Sequence, residues 1–154
     1  MEITQEMQEV MILSLLRHDK TPQGVECSFF QFGTVGVKFY GYCNDSKHKA
    51  IEAFHMQSRC YAKGLAPKPG QVFSVPIKGA GIYGSPMALH GYTTEIAVMV
   101  DNPSHGDRSK LREALSVANL PHGDLHSGNV GYIIENDTFK LVPIDFGSHF
   151  VNLS

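Results

Sequence analysis

The chain has 154 residues, enough for one domain with a buried core. Its 42% hydrophobic and 18% charged residues describe an ordinary globule and not a disordered chain. A net charge of −2 supplies no basic excess for nucleic acid, and no apolar run approaches the length needed to cross a membrane.

Glu2 to Arg17 carries Ile3, Met7, Val10, Met11 and Leu15 near helical spacing, which predicts a packing helix. Asp19-Lys20-Thr21-Pro22-Gln23-Gly24 then breaks it. Val25 to Tyr40 reads as a hairpin that turns at Gly33, with Val25, Cys27, Phe29 and Gln31 facing one way on the first strand. On the returning strand Val35, Val37 and Phe39 share a face, and Lys38 lies on the other with Gly36 and Tyr40. Ser46 to Lys63 is predicted as a helix with Asn44, Asp45 or Ser46 as its cap. Gly64 stops it, and Glu52 is its one acid beyond the cap.

Gln71 to Ile77 and Tyr92 to Val100 read as two further strands, and Gly79 to Gly84 between them as a connector. Asn102-Pro103-Ser104-His105-Gly106 is predicted as a linker between two lobes, about 1–101 and about 104–154. A short helix follows to about Ala118, capped by Asp107 or Ser109, with Leu111, Leu115 and Ala118 on one face. Val130 to Ile134 and Phe139 to Val142 read as paired strands around a Glu-Asn-Asp turn. Such a hairpin returns both ends to one edge, so Asp124, Asn129 and Asp145 are expected to converge. Two carboxylates and an amide oxygen suit Mg²⁺, which takes its remaining ligands from water and phosphates. An alternative is a transition-metal site on His122, Asp124 and His126, which alternate; Gly123 and Gly128 favour a loop there over the strand it would need.

His122-Gly123-Asp124-Leu125-His126, then Asn129, then a hairpin, then Ile144-Asp145-Phe146-Gly147 resembles the catalytic loop and metal-binding segment of the protein-kinase-like superfamily. The spelling is similar to its atypical and small-molecule branches (RIO-like, lipopolysaccharide-core, aminoglycoside and choline kinases). The resemblance implies an α+β fold of minimal kinase-like type: an N-lobe antiparallel sheet with helices, and a reduced C-lobe containing the catalytic-loop hairpin. It implies ATP and Mg²⁺ as cofactors, Asp124 as catalytic base, and Asn129 and Asp145 as metal ligands. Lys38 is similar to the phosphate-contacting lysine and Glu52 to its helix partner, while Glu95-Ile96-Ala97 resembles the hinge whose backbone, at Glu95 and Ala97, receives adenine.

The chain departs from that pattern in two places. No GxGxxG precedes the lysine strand, with Gly24 a candidate remnant, and only Ser148 to Ser154 follow Asp145-Phe146-Gly147. The implied activity is phosphoryl transfer to a protein Ser/Thr or small-molecule hydroxyl. The alternative is a kinase-like regulatory protein that docks on a partner. The short stretch after Gly147 leads us to expect a partner protein, or self-association, at an apolar underside formed by Leu111, Leu115, Ile133 and Leu141, with Phe150, Val151 and Leu153 its only cover. No nucleic acid and no membrane are expected as partners. Cys27, Cys43 and Cys60 form no CxxC pair and read as free thiols of a reducing compartment. With an acidic start at Met1 to Glu6 that is unlike a signal peptide, they lead us to expect a cytoplasmic location.

Overall fold

A computed structural model of the protein describes residues 3–10, 28–40, 46–77, 87–99, 104–120 and 130–144. The described residues form an α+β fold. In chain order they are α1 (described over residues 5–10), β1 (Ser28–Phe32), β2 (Val35–Tyr40), α2 (Ser46–Ala62), β3 (Pro69–Ile77), β4 (Met87–Glu95), β5 (Val98–Met99), α3 (His105–Val117), β6 (Val130–Glu135) and β7 (Thr138–Pro143). Among them no helix is long and apolar enough to cross a membrane. The chain divides into two compact units: Met1–Ile51 with Gly70–Thr94, and Glu52–Pro69 with Glu95–Ser154. The linker expected to separate the lobes lies partly outside the described residues, which resume at Ser104.

The first unit is built on a four-stranded sheet in the order β1-β2-β4-β3. β1 and β2 are antiparallel, with Phe32 opposite Val35. Gly33, at φ 63°, supplies the left-handed first position that a two-residue hairpin loop of this kind requires. On one face Met7, Val37, Phe39, Phe73 and Val75 make a buried cluster, joined by Ile3, Phe30 and Phe32. α1 therefore packs through Met7, on the stripe its spacing predicts, while Ile3 joins the cluster from ahead of the helix, which begins after Thr4 and not at Glu2. Thr4 caps it by accepting the Met7 N–H at 3.2 Å. Because the β1 register sets Phe29 opposite Lys38, the Phe29 ring belongs to the lysine face, and it is the neighbouring Phe30 and Phe32 that reach the core.

The second unit holds a three-stranded antiparallel sheet, β5-β6-β7, with α3 packed on β7. Both positions of the β6–β7 turn are left-handed, Asn136 at φ 51° and Asp137 at φ 61°, the geometry whose twist matches the flanking strands. Two helices end by the same device with different residues. After α2, Gly64 at φ 72° lets its own N–H reach Tyr61 O at 2.8 Å and Leu65 N–H reach Cys60 O at 2.8 Å. After α3, Asn119 at φ 57° does the same, with Leu120 N–H on Leu115 O at 2.9 Å. In each case the residue beyond the cap, Leu65 or Leu120, is buried.

Three expectations need correction. Tyr92 to Val100 is not one strand: β4 ends at Glu95, and Val98–Met99 pairs with β6 in the other sheet. The break follows Glu95, whose N–H is bonded to Lys68 O at 2.9 Å just ahead of β3. α3 starts inside the expected linker and is capped by Ser104, whose Oγ accepts the Asp107 N–H at 3.0 Å; neither Asp107 nor Ser109 is the cap. Ile133 and Leu141 do not share an underside either. Leu141 stands opposite Tyr132, and Ile133 opposite Lys140, so the two lie on opposite faces.

Candidate functional site

Lys38 sits in a strand covered on both sides. Val37 and Phe39 are buried on one face and Gly36 and Tyr40 on the other, while Lys38 itself is half-buried. Its ammonium does not run out to bulk solvent but lies over the ring of Tyr92, 5.7 Å from the centroid. Tyr92, on the adjacent β4, has no exposed surface. Thr94 belongs to the same face, since its methyl would lie 3.2 Å from a Cβ at Gly36. β4 comes this close because residue 91 is glycine: a Cβ there would overlap the Lys38 carbonyl oxygen and stand 2.8 Å from Phe39 Cα. On the same sheet Ser74 Oγ and His90 Nδ1 are hydrogen-bonded at 2.7 Å. Burial and the Lys47 charge hold the His90 imidazole below its usual range.

Glu52 is an exposed residue of α2. The helix surface that turns inward carries Ala53, Met56, Gln57 and Cys60 instead, all buried. Gln57 satisfies its buried amide by donating to Pro67 O at 2.9 Å, which ties the segment after α2 back to the helix. Cys60 is a free thiol, and burial pushes its pKa up to about 12 against a smaller opposing effect of Arg59. It is therefore protonated and inert at neutral pH.

Glu95 and Ala97 lie where the first unit gives way to the second. Glu95 is exposed, and its N–H is committed to Lys68 O, so that donor is not open to a ligand. Ala97 meets the base of the β6–β7 hairpin. Its Cβ would be 3.0 Å from a Cβ at Gly131, a position also bounded by Val98 O at 3.0 Å and Ile144 Cγ2 at 3.4 Å. Gly131 follows Asn129 by two residues and Ile144 immediately precedes Asp145, so the expected hinge adjoins the chain on both sides of the expected metal ligands.

Asp124, Asn129 and Asp145 lie outside the described residues, as do His122 and His126 of the zinc alternative. The hairpin that joins them is described. Val130, next after Asn129, pairs with Pro143, two residues ahead of Asp145. Among the described residues no group of three His, Cys, Asp or Glu side chains could hold a metal ion.

The hairpin is anchored to α3 by Tyr132, whose hydroxyl donates to Asp107 Oδ2 at 2.7 Å. That bond and the one from Ser104 hold the Asp107 carboxyl below its ordinary range. On the other side, Lys140 pairs with Glu135 at 3.1 Å, and its ammonium would lie 3.4 Å from a Cβ at Gly64. It thus stands beside the carbonyl end of α2, where a cation is favourable.

Sequence reasoning missed Tyr92, Gly91 and the Tyr132–Asp107 bond. A glycine inside a strand pattern was the one signal present, since it marks close approach of another backbone. No protein-family model matches the chain, and no curated protein matches it either.

Proposed function

We propose that the chain is an Mg-ATP-dependent phosphotransferase whose acceptor is a protein Ser/Thr or small-molecule hydroxyl. The observation that carries this reading is the β6–β7 hairpin. A tight two-residue turn and a register closing on Val130 and Pro143 join the HGDLHSGN segment to IDFG, the link the kinase-like resemblance calls for. The half-buried Lys38, held in the sheet upstream, adds support.

The donor set fits the implied cofactor: Asp145 and Asn129 offer the hard oxygen ligands that Mg²⁺ prefers. The bound metal would neutralise charge on the transferring phosphoryl group. Lys38 would hold the phosphates as a point charge, with Glu52 the acid assigned to orient it. Asp124 would accept or orient the proton of the attacking hydroxyl. Ala97 and the backbone around it would bound the adenine.

Thermal shift with ATP, with and without Mg²⁺, tests the reading. A nucleotide at 100 times its Kd stabilises a fold by about 2.7 kcal/mol, a shift of several degrees. Asp145→Ala should abolish the Mg²⁺-dependent part and leave the ligand-free Tm unchanged. Stoichiometric zinc in the purified protein, or Mg²⁺ dependence that survives the substitution, would refute the site.

A second reading is favoured by one observation. Val98, Ile134 and Phe139 are 57%, 69% and 68% exposed and share one face of the three-stranded sheet. Clustered apolar exposure suits a regulatory protein that docks on a partner or on itself. Phosphoryl transfer lost in Asp124→Ala supports the enzyme; partner binding with activity indifferent to Asp124→Ala supports the regulator.

A further inference from the structure

We infer that Tyr92 is a positioning residue for Lys38: its buried ring holds the ammonium where the phosphates of a nucleotide would be met. The inference rests on the phosphotransferase reading and adds to it a residue that the motifs do not contain. Lysine is a compact charge on a flexible four-carbon stem, and it is useful against a phosphate only when that stem is confined. On its own face of the sheet Lys38 is flanked along β2 by Gly36 and Tyr40 and faces Phe29 across β1. None of these three carries a charge. On the β4 side the ammonium meets the face of Tyr92 at 5.7 Å, inside the range over which a ring quadrupole attracts a cation.

The ring is well suited to the task. With no exposed surface it has no alternative rotamer in solvent, whereas Lys38 is only half-buried and keeps an open side for a ligand. Gly91 adds to the fit. Its missing side chain lets the β4 backbone lie against the Lys38 carbonyl, which brings the next residue of β4 to the lysine.

The test compares ATP and adenosine binding by calorimetry on the full chain. Tyr92→Phe keeps the ring and should retain both affinities. From that variant, progressively fluorinated phenylalanines at position 92 preserve shape while draining the negative face of the ring. ATP affinity should fall in step with fluorination, by roughly three-fold across the series, the size of one partly screened cation–π contact. Adenosine affinity should not move, because adenosine has no phosphate for Lys38 to meet. Tyr92→Leu should show the same split with a larger loss.

Equal losses for ATP and adenosine, or no loss in either, would overturn the role of Tyr92 while the proposed function stands on wild-type binding. A wild-type chain that binds no ATP overturns the function and this role together. Should Tyr92→Leu fail to fold, the fluorinated series alone decides, since its members differ little in volume.

Discussion

In β2 the buried residues fall on both faces: Val37 and Phe39 toward α1, Gly36 and Tyr40 on the lysine side. Burial in the β6–β7 hairpin is arranged lengthwise instead. Val130, Gly131, Leu141, Val142 and Pro143 are buried, and every residue from Ile134 to Phe139 is exposed. The difference bears on where function can reside. A strand covered on both sides tolerates a charge only where something receives it, so a half-buried Lys38 over a buried ring is informative. A hairpin fixed at one end holds still the end that adjoins Asn129 and Asp145, and leaves its tip to solvent. On the proposed function this puts the rigid part of each element next to the residues assigned to phosphate and metal.

The sharpest way to break the comparison is to force the sheet apart at Gly91. Gly91→Ala places a methyl where the Lys38 carbonyl already lies, and this neighbour and Phe39 Cα are backbone atoms that cannot rotate away, with the Phe73 ring beside them. Overpacking of this kind costs about 3 kcal/mol. For a chain of this size the expected fall in Tm is about 10 °C. A Tm within about 2 °C of wild type would show that β2 and β4 are not so closely apposed.

The lengthwise gradient of the hairpin predicts unequal costs for similar truncations. Val142, fully buried at the base, should cost about 2 kcal/mol as Val142→Ala, through lost burial and a cavity. Phe139 is 68% exposed and contacts Tyr132 edge-to-face at 6.3 Å, so Phe139→Ala should cost only about 0.5 kcal/mol. Urea midpoints measure both. Equal losses would mean that the tip is covered in solution, which is the result the docking reading requires.

Much of this arrangement could be read from side-chain pattern. Alternation around Gly33 and around Asn136-Asp137 gave both hairpins, and Gly64 gave the end of α2, because these signals are local and reside in residue type. The parts that escaped are set by backbone or by distant partners. The break between β4 and β5 falls at Ile96 and Ala97, and nothing in Glu95-Ile96-Ala97 spells it. Ser104 caps α3 because the helix starts at His105, which puts Asp107 inside the first turn, where its carboxylate meets Tyr132, 25 residues away in sequence. Which of Phe29 and Phe30 faces the core is set by a register that alternation leaves open by one residue. Of the expected site, Lys38, Glu52, Glu95 and Ala97 fall among the described residues, and Asp124, Asn129 and Asp145 do not.

The smallest expected effect, and the most specific, is a pH dependence at the Tyr132–Asp107 bond. Hydrogen bonds from Tyr132 and then Ser104 depress the Asp107 pKa, and the bond to Asp107 raises that of Tyr132. A carboxyl depressed on folding binds fewer protons in the native state than in the unfolded one. Its contribution is therefore complete above the unfolded value of about 4 and disappears as pH falls through the lower folded value. A phenol raised on folding behaves oppositely at the other end: its contribution is complete below about 10 and disappears as pH rises through the folded value. Both residues are only partly buried, so the effect is screened and small. Tyr132→Phe should make the urea midpoint less sensitive to pH between about 5 and 2, with Ser104 retaining the remainder, and should remove the decline above about 10. Identical pH profiles for the two proteins would place Tyr132 away from Asp107 and detach α3 from the hairpin that it holds.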